Sequence, residues 1–152
     1  MRNWKDLKIW EDSHNLVLEI YDILQSFPKN EEYGLVSQIK RAVISVPTNI
    51  VEGHSKNSNK EFLRFLYISR GSLEETKYLL FLSKELRFIS NETYKNIENK
   101  LSKISYMLNK FIKYIQSTLN NPNNPNNHNN PNNHNNHNNP NNHNNPTNLK
   151  EF

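Results

Sequence analysis

Gln38-Ile39-Lys40-Arg41-Ala42-Val43-Ile44-Ser45-Val46-Pro47-Thr48-Asn49-Ile50-Val51-Glu52-Gly53 is the stretch that decides the fold. Wound at 3.6 residues per turn, it separates into faces. Ile39, Ala42, Val43, Val46 and Ile50, with Leu35 just upstream, gather on one side. Gln38, Arg41, Ser45, Asn49 and Glu52 form a polar stripe beside them. A plain bundle helix scatters Lys and Glu over its polar side; this one carries an ordered ladder of hydrogen-bonding groups. Pro47 falls in the middle. An interior proline removes a backbone donor and costs about 3 kcal/mol, so the helix either kinks there or is broken, with Pro47 opening a new one. The polar stripe stays in phase across Pro47, which favours a kinked but continuous helix with Gly53 as its C-terminal cap.

Upstream, the pattern predicts a first helix from Asp6 to Ser26. Leu7, Trp10, Leu16, Val17, Ile20, Tyr21, Ile23, Leu24 and Phe27 give it a broad apolar face. Phe27-Pro28 stops it, because proline cannot continue a helix and biases its predecessor away from helical angles. Asn30 is the natural N-cap of the second helix. Glu31 and Glu32 then sit in its first turn, where the helix dipole favours negative charge.

Downstream, Ser58-Asn59-Lys60-Glu61 has the spacing of a capping box and starts a third helix. Phe62, Leu66, Leu73 and Leu80 fall on one side of it; Ile68, Tyr78 and Leu82 fall near the opposite side. A helix apolar on two sides is buried on both, and a lone four-helix bundle buries only one. Gly71 lies on that second side. Glycine there costs about 1 kcal/mol relative to alanine, which points to a close backbone approach by a neighbour. Ile44 and Val51 on the second helix also fall off its main apolar face. Together these features predict self-association; the alternative is that packing inside one bundle absorbs them all.

Leu86-Arg87-Phe88-Ile89 ends the third helix, and Ser90 or Asn91 caps a fourth. Ile97, Leu101, Ile104, Leu108, Phe111, Ile112, Ile115 and Leu119 form its apolar stripe. Lys95, Lys103, Lys110 and Lys113 line the other side with Tyr106 among them. Four long helices with short connections predict an all-α fold, an antiparallel up-and-down four-helix bundle over residues 1–119. Residues 120–152 are a low-complexity tail, with nine triplets of Asn-Asn-Pro or Asn-Asn-His between Asn120 and Pro146. Asparagine and proline oppose helix and nothing in the triplets is apolar, so the tail is predicted to be disordered or loosely extended.

The Gln38–Gly53 stretch, with Tyr33-Gly34-Leu35 before it and Phe62 and Gly71-Ser72 after it, resembles a known family. These are the bacterial four-helix-bundle proteins encoded in intervening sequences of 23S rRNA genes, often labelled S23 ribosomal proteins. The resemblance covers residues 4 to 119, implies the four-helix bundle and brings no established activity with it. A related branch, the accessory variability protein of diversity-generating retroelements, is similar in fold. It implies a pentameric barrel whose basic surface binds nucleic acid and the reverse transcriptase. The polar stripe matches the family's signature. We read Gln38, Arg41, Ser45, Asn49 and Glu52 as hydrogen-bonding groups that fix helix register and subunit contacts, with Ile44, Val51 and Gly71 in those contacts. A direct ligand site on the stripe is the alternative. The Asn/Pro/His tail departs from the family's pattern.

Composition bounds the function. The chain of 152 residues fits one domain and has no cysteine, hence no disulfide and no thiolate metal site. Its N-terminus lacks the apolar core of a signal peptide, and the longest apolar run, Tyr78 to Leu82, is far too short to span a bilayer. A cytoplasmic location and no membrane partner are therefore expected. The formal charge of +4 hides a gradient: residues 1–30 carry four Lys/Arg against five Asp/Glu, and residues 91–120 carry five Lys against two Glu.

Catalytic constellations are thin. Glu11-x-x-His14 matches half of a di-iron carboxylate site, but no second Glu-x-x-His exists. No Arg precedes His14 or His54 at the four-to-six-residue spacing of small RNA-cleaving toxin domains. No nucleophile elbow, phosphate-binding glycine loop or zinc spacing appears. No enzyme, cofactor or resident metal is expected. The tail histidines 128, 134, 137 and 143 suit nickel or zinc, yet ordering an uncharged tract to hold a metal is costly. The basic stripe of helix 4 is the better site. Lys95, Lys103, Lys110 and Lys113 would neutralise phosphates and Tyr106 would stack on a base. Arg41, Arg64, Arg70 and Arg87 would add to it where they reach the surface. A merely solvated face is the competing reading; oligomerisation multiplies the patch and favours binding. The expected partners are further copies of the chain, as a pentamer, and RNA or DNA. A protein–protein adaptor is the competing class.

Overall fold

Four runs of helical periodicity become four helices. The computed structural model describes residues 3–121, so the predicted disorder of the tail lies outside the described residues. Helices α1 (Lys8–Leu24), α2 (Leu35–Ser55), α3 (Asn59–Glu85) and α4 (Asn91–Asn120) follow one another, with one-turn 3-10 segments at Trp4–Asp6 and Lys29–Glu31. Each helix packs against its neighbours in order and α4 returns to α1, closing an antiparallel four-helix bundle. The α2–α3 contact is the most extensive.

The core follows the apolar stripes. Leu16 and Ile20 of α1, Ile39, Val43 and Ile50 of α2, and Leu66, Leu73 and Leu80 of α3 are all buried. From α4 they meet Ile97, Leu101, Ile104, Leu108 and Phe111, which are buried as well. Ile9 is also fully buried, although the sequence pattern selects Leu7 and Trp10 around it. Phe111 meets Phe62 edge-on, with ring centroids 5.4 Å apart. Buried hydroxyls are satisfied by backbone carbonyls: Ser13 donates to Ile9, Ser69 to Val46, Thr76 to Ser72 and Ser83 to Leu79.

Helix α1 is shorter than the sequence predicts. The N–H groups of Gln25, Ser26 and Phe27 donate to carbonyls three residues back, a tightened last turn. This turns Phe27 inward, 5.6 Å from the ring of Phe88. The start of α2 also differs. The sequence places its N-cap at Asn30, but Lys29–Glu31 forms a separate turn and Gly34 precedes the first helical residue. Glu31 still meets the helix dipole, from outside: its Oε2 accepts from the Leu35 N–H at 3.3 Å.

Helix α2 runs unbroken through Pro47, which is buried. Side chains stitch the turn around it. The carbonyl of Ile44 accepts from Thr48 Oγ1 at 2.8 Å, that of Ser45 from Asn49 Nδ2 at 2.7 Å, and that of Val46 from Ser69 Oγ at 2.9 Å. The donor that proline lacks would have served the Val43 carbonyl; these three bonds fall instead on the next three carbonyls of the turn.

Gly53 is not a cap. It lies buried inside α2, which continues to Ser55. A Cβ there would lie 2.7 Å from Phe62 Cδ2 and 2.7 Å from Phe65 Cβ, so any side chain at this position forces α2 or α3 to shift. The sequence places the close approach at Gly71 instead. Within the chain a Cβ on Gly71 would meet nothing within 4 Å.

The capping signals of α3 and α4 appear as hydrogen bonds. Ser58 Oγ accepts from the Glu61 N–H at 3.4 Å, and Ser90 Oγ from the Thr93 N–H at 3.0 Å. Between them, the turn after α3 passes through Arg87, whose φ of 63° is left-handed. Arg87 N–H donates to Lys84 and Phe88 N–H to Ser83, both at 2.9 Å, the Schellman arrangement that glycine usually completes. A side chain in that conformation costs about 1 kcal/mol. Arg87→Gly is therefore expected to raise stability by about 0.5–1 kcal/mol, read as a higher midpoint in urea. Among the described residues, no helix is long and apolar enough to cross a membrane.

Candidate functional site

The polar stripe of α2 divides in two. Ser45 and Asn49 are half-buried against α3: Ser45 Oγ lies 2.8 Å from Ser72 Oγ, and Asn49 Nδ2 donates to Ser45 Oγ at 2.9 Å. Gln38, Arg41 and Glu52 are exposed, Glu52 with Lys56 Nζ 3.6 Å away. Ile44 is 41% exposed and Val51 half-buried.

The basic stripe of α4 divides as well. Lys103 Nζ lies 2.8 Å from Asp12 Oδ2 on α1, an ion contact, and Lys100 pairs with Glu19. The acidic side of α1 therefore compensates part of the stripe. Lys95, Lys110 and Lys113 are exposed, and Tyr106 is 67% exposed among them. Arg41 and Arg87 reach the surface. Arg64 lies 3.5 Å from Glu61, and Arg70 sits over the Tyr67 ring and donates to Asn109.

Asp12 is the residue that the sequence pattern does not single out. Lys8 Nζ lies 3.0 Å from its Oδ1, and its side chain is 13% exposed. Burial pushes its carboxyl up, but the ammonium groups of Lys103 and Lys8 in ion contact with it outweigh this and hold it below the ordinary carboxylate range. A lowered folded pKa contributes stability that is present above the unfolded value, near pH 4, and is lost as pH falls through the folded one. Asp12→Asn is expected to be less stable than the native chain at pH 7, with the gap closing in acid unfolding series below about pH 4. The Lys8 spacing is legible in sequence; the Lys103 contact needs the register between α1 and α4.

Neither histidine of the bundle sits among ligands. His14 stacks on Trp10 with centroids 5.2 Å apart, and His54 lies edge-on to Phe62 at 6.0 Å. Among the described residues no group of three His, Cys, Asp or Glu is placed to hold a metal. An open cleft of about 390 Å³ lies beside the α1–α2 turn, lined by Tyr21, Phe27, Lys29, Glu32 and Lys40 among others.

Residues 5–110 match the family described as 23S rRNA-intervening sequence protein. The chain belongs to this family. Within the matched segment lie the Pro47 turn, Gly53, Gly71, Asp12, Lys95, Lys103 and Lys110; Lys113 falls beyond it. A solved relative is a protein with unknown function from the S23 ribosomal protein family of Bacteroides thetaiotaomicron VPI-5482, determined at 1.70 Å. It superposes with a TM-score of 0.65 at 26% identity, over 69% of this chain and 98% of that one. No curated protein matches the chain.

Proposed function

We propose that this 23S rRNA-intervening sequence protein is a non-enzymatic homo-oligomer that binds structured RNA or DNA through α4. The observation that carries the reading is the row of Lys95, Tyr106, Lys110 and Lys113 on the solvent side of one helix. Cations neutralise phosphates without reading sequence, and an exposed ring among them offers a stacking surface. Three lysines give weak affinity in one copy; several copies on one nucleic acid multiply it. Ile44, Ile68 and Tyr78, all exposed, support self-association. The retroelement branch implies five copies.

The triple variant Lys95→Glu, Lys110→Glu, Lys113→Glu tests the site in the full chain. Its affinity for a structured RNA at low salt is expected to fall by at least about tenfold, with helicity unchanged by circular dichroism. Equal affinity of variant and native chain would remove α4 as the binding face.

A further inference from the structure

Lys103 stands in the middle of the α4 row. At a rise of about 1.5 Å per residue, Lys95 and Lys110 lie about 22 Å apart along the helix, and Lys103 falls between them on the same side. Its ammonium is held 2.8 Å from Asp12 of α1, and three residues earlier Lys100 is held by Glu19. The cations of these pairs reach solvent and the anions do not follow. The Lys103 and Lys100 side chains are 59% and 53% exposed, those of Asp12 and Glu19 only 13% and 32%. Asp12 also has a second cation, Lys8 at 3.0 Å from its other oxygen. Lys103 can therefore leave without stranding an unpaired, mostly buried carboxylate.

We propose that Asp12 and Glu19 hold the places of two phosphates, and that Lys103 and Lys100 join the nucleic-acid face by exchanging these carboxylates for the backbone of a duplex. This rests on the α4 reading above and names its regulation. An ion pair with an exposed cation contributes little to stability and yields to a competing anion. A duplex supplies that anion at high density along the whole row. Before the exchange the row has a gap at its centre and two fixed negative charges beside it. Sparse or isolated anions meet both, so the pairs set a threshold that a dense polyanion passes. The carboxylates lie on α1 and the lysines on α4, so the packing of these two helices holds the pairs in place.

Salt titration of the full chain on duplex DNA counts the lysines engaged. With Lys95, Lys110 and Lys113 alone, the slope of log K against log salt is about −2.7 per bound subunit. Asp12→Asn with Glu19→Gln is expected to steepen it toward about −4.5 and to raise affinity at least about tenfold at about 50 mM salt. Glu19→Gln alone, which leaves the Asp12 cluster intact, is expected at about −3.6. Glu11→Gln removes the same charge from α1, but its partner is Lys8 on its own helix, so the native slope is expected. Adding Lys100→Gln and Lys103→Gln to the double variant is expected to return the slope to the native value. A native chain that binds, with the same slope in the double variant and in Glu19→Gln, would overturn the exchange and leave α4 as the binding face. No binding by the native chain or by any variant at about 50 mM salt would remove both readings.

Discussion

Gly53→Ala is expected to destabilise the bundle by about 2 kcal/mol, although alanine is the better helix former. Propensity alone favours alanine by about 1 kcal/mol at a helix interior. Packing decides otherwise. The added methyl would lie 2.7 Å from both Phe62 Cδ2 and Phe65 Cβ. A ring can tilt, but a Cβ moves only with its backbone. Accommodating the methyl therefore pushes α2 from α3 and strains the Ser69–Val46 and Ser45–Ser72 hydrogen bonds that lie along the same contact. Phe62→Leu relieves one of the two clashes, so it is not expected to rescue Gly53→Ala. Urea unfolding of the two variants checks this; a neutral or stabilising Gly53→Ala would mean that the helices separate freely.

Phe111→Ala is expected to cost more, about 3–5 kcal/mol. The ring is completely buried and packs edge-on against Phe62, next to the Gly53 contact. Its removal loses the transfer energy of the ring and leaves a cavity that α3 and α4 cannot fill without shifting. Against a total stability of about 5–15 kcal/mol, that is a large fraction. A fall in the urea midpoint with unchanged slope is the expected signature. A loss below about 1 kcal/mol would show that Phe111 is not central to the core.

The fold was legible where one helix suffices to read it. The apolar face of α2 could be read from Leu35 to Ile50 because burial follows helical period, and Ser58 and Ser90 announced two helix starts. Features made by two helices were not. Gly53 ends an apolar period and so looks like a cap; only the position of Phe65 shows it to be a contact. Lys103 reads as one more exposed cation until α1 brings Asp12 to it. Arg87 gives no signal at all, because the left-handed position it fills is usually marked by glycine. In the candidate site, the exposed lysines were legible from period, and their partial compensation by α1 was not.

The most direct test of nucleic-acid binding is the salt dependence of affinity. The full chain is titrated onto a labelled structured RNA and a DNA duplex, followed by anisotropy from about 50 to 200 mM salt. If Lys95, Lys110 and Lys113 each neutralise a phosphate, log K falls linearly with log salt, with a slope of about −2.7 per bound subunit on duplex DNA. No binding at about 50 mM salt would contradict the nucleic-acid reading and leave a protein–protein adaptor.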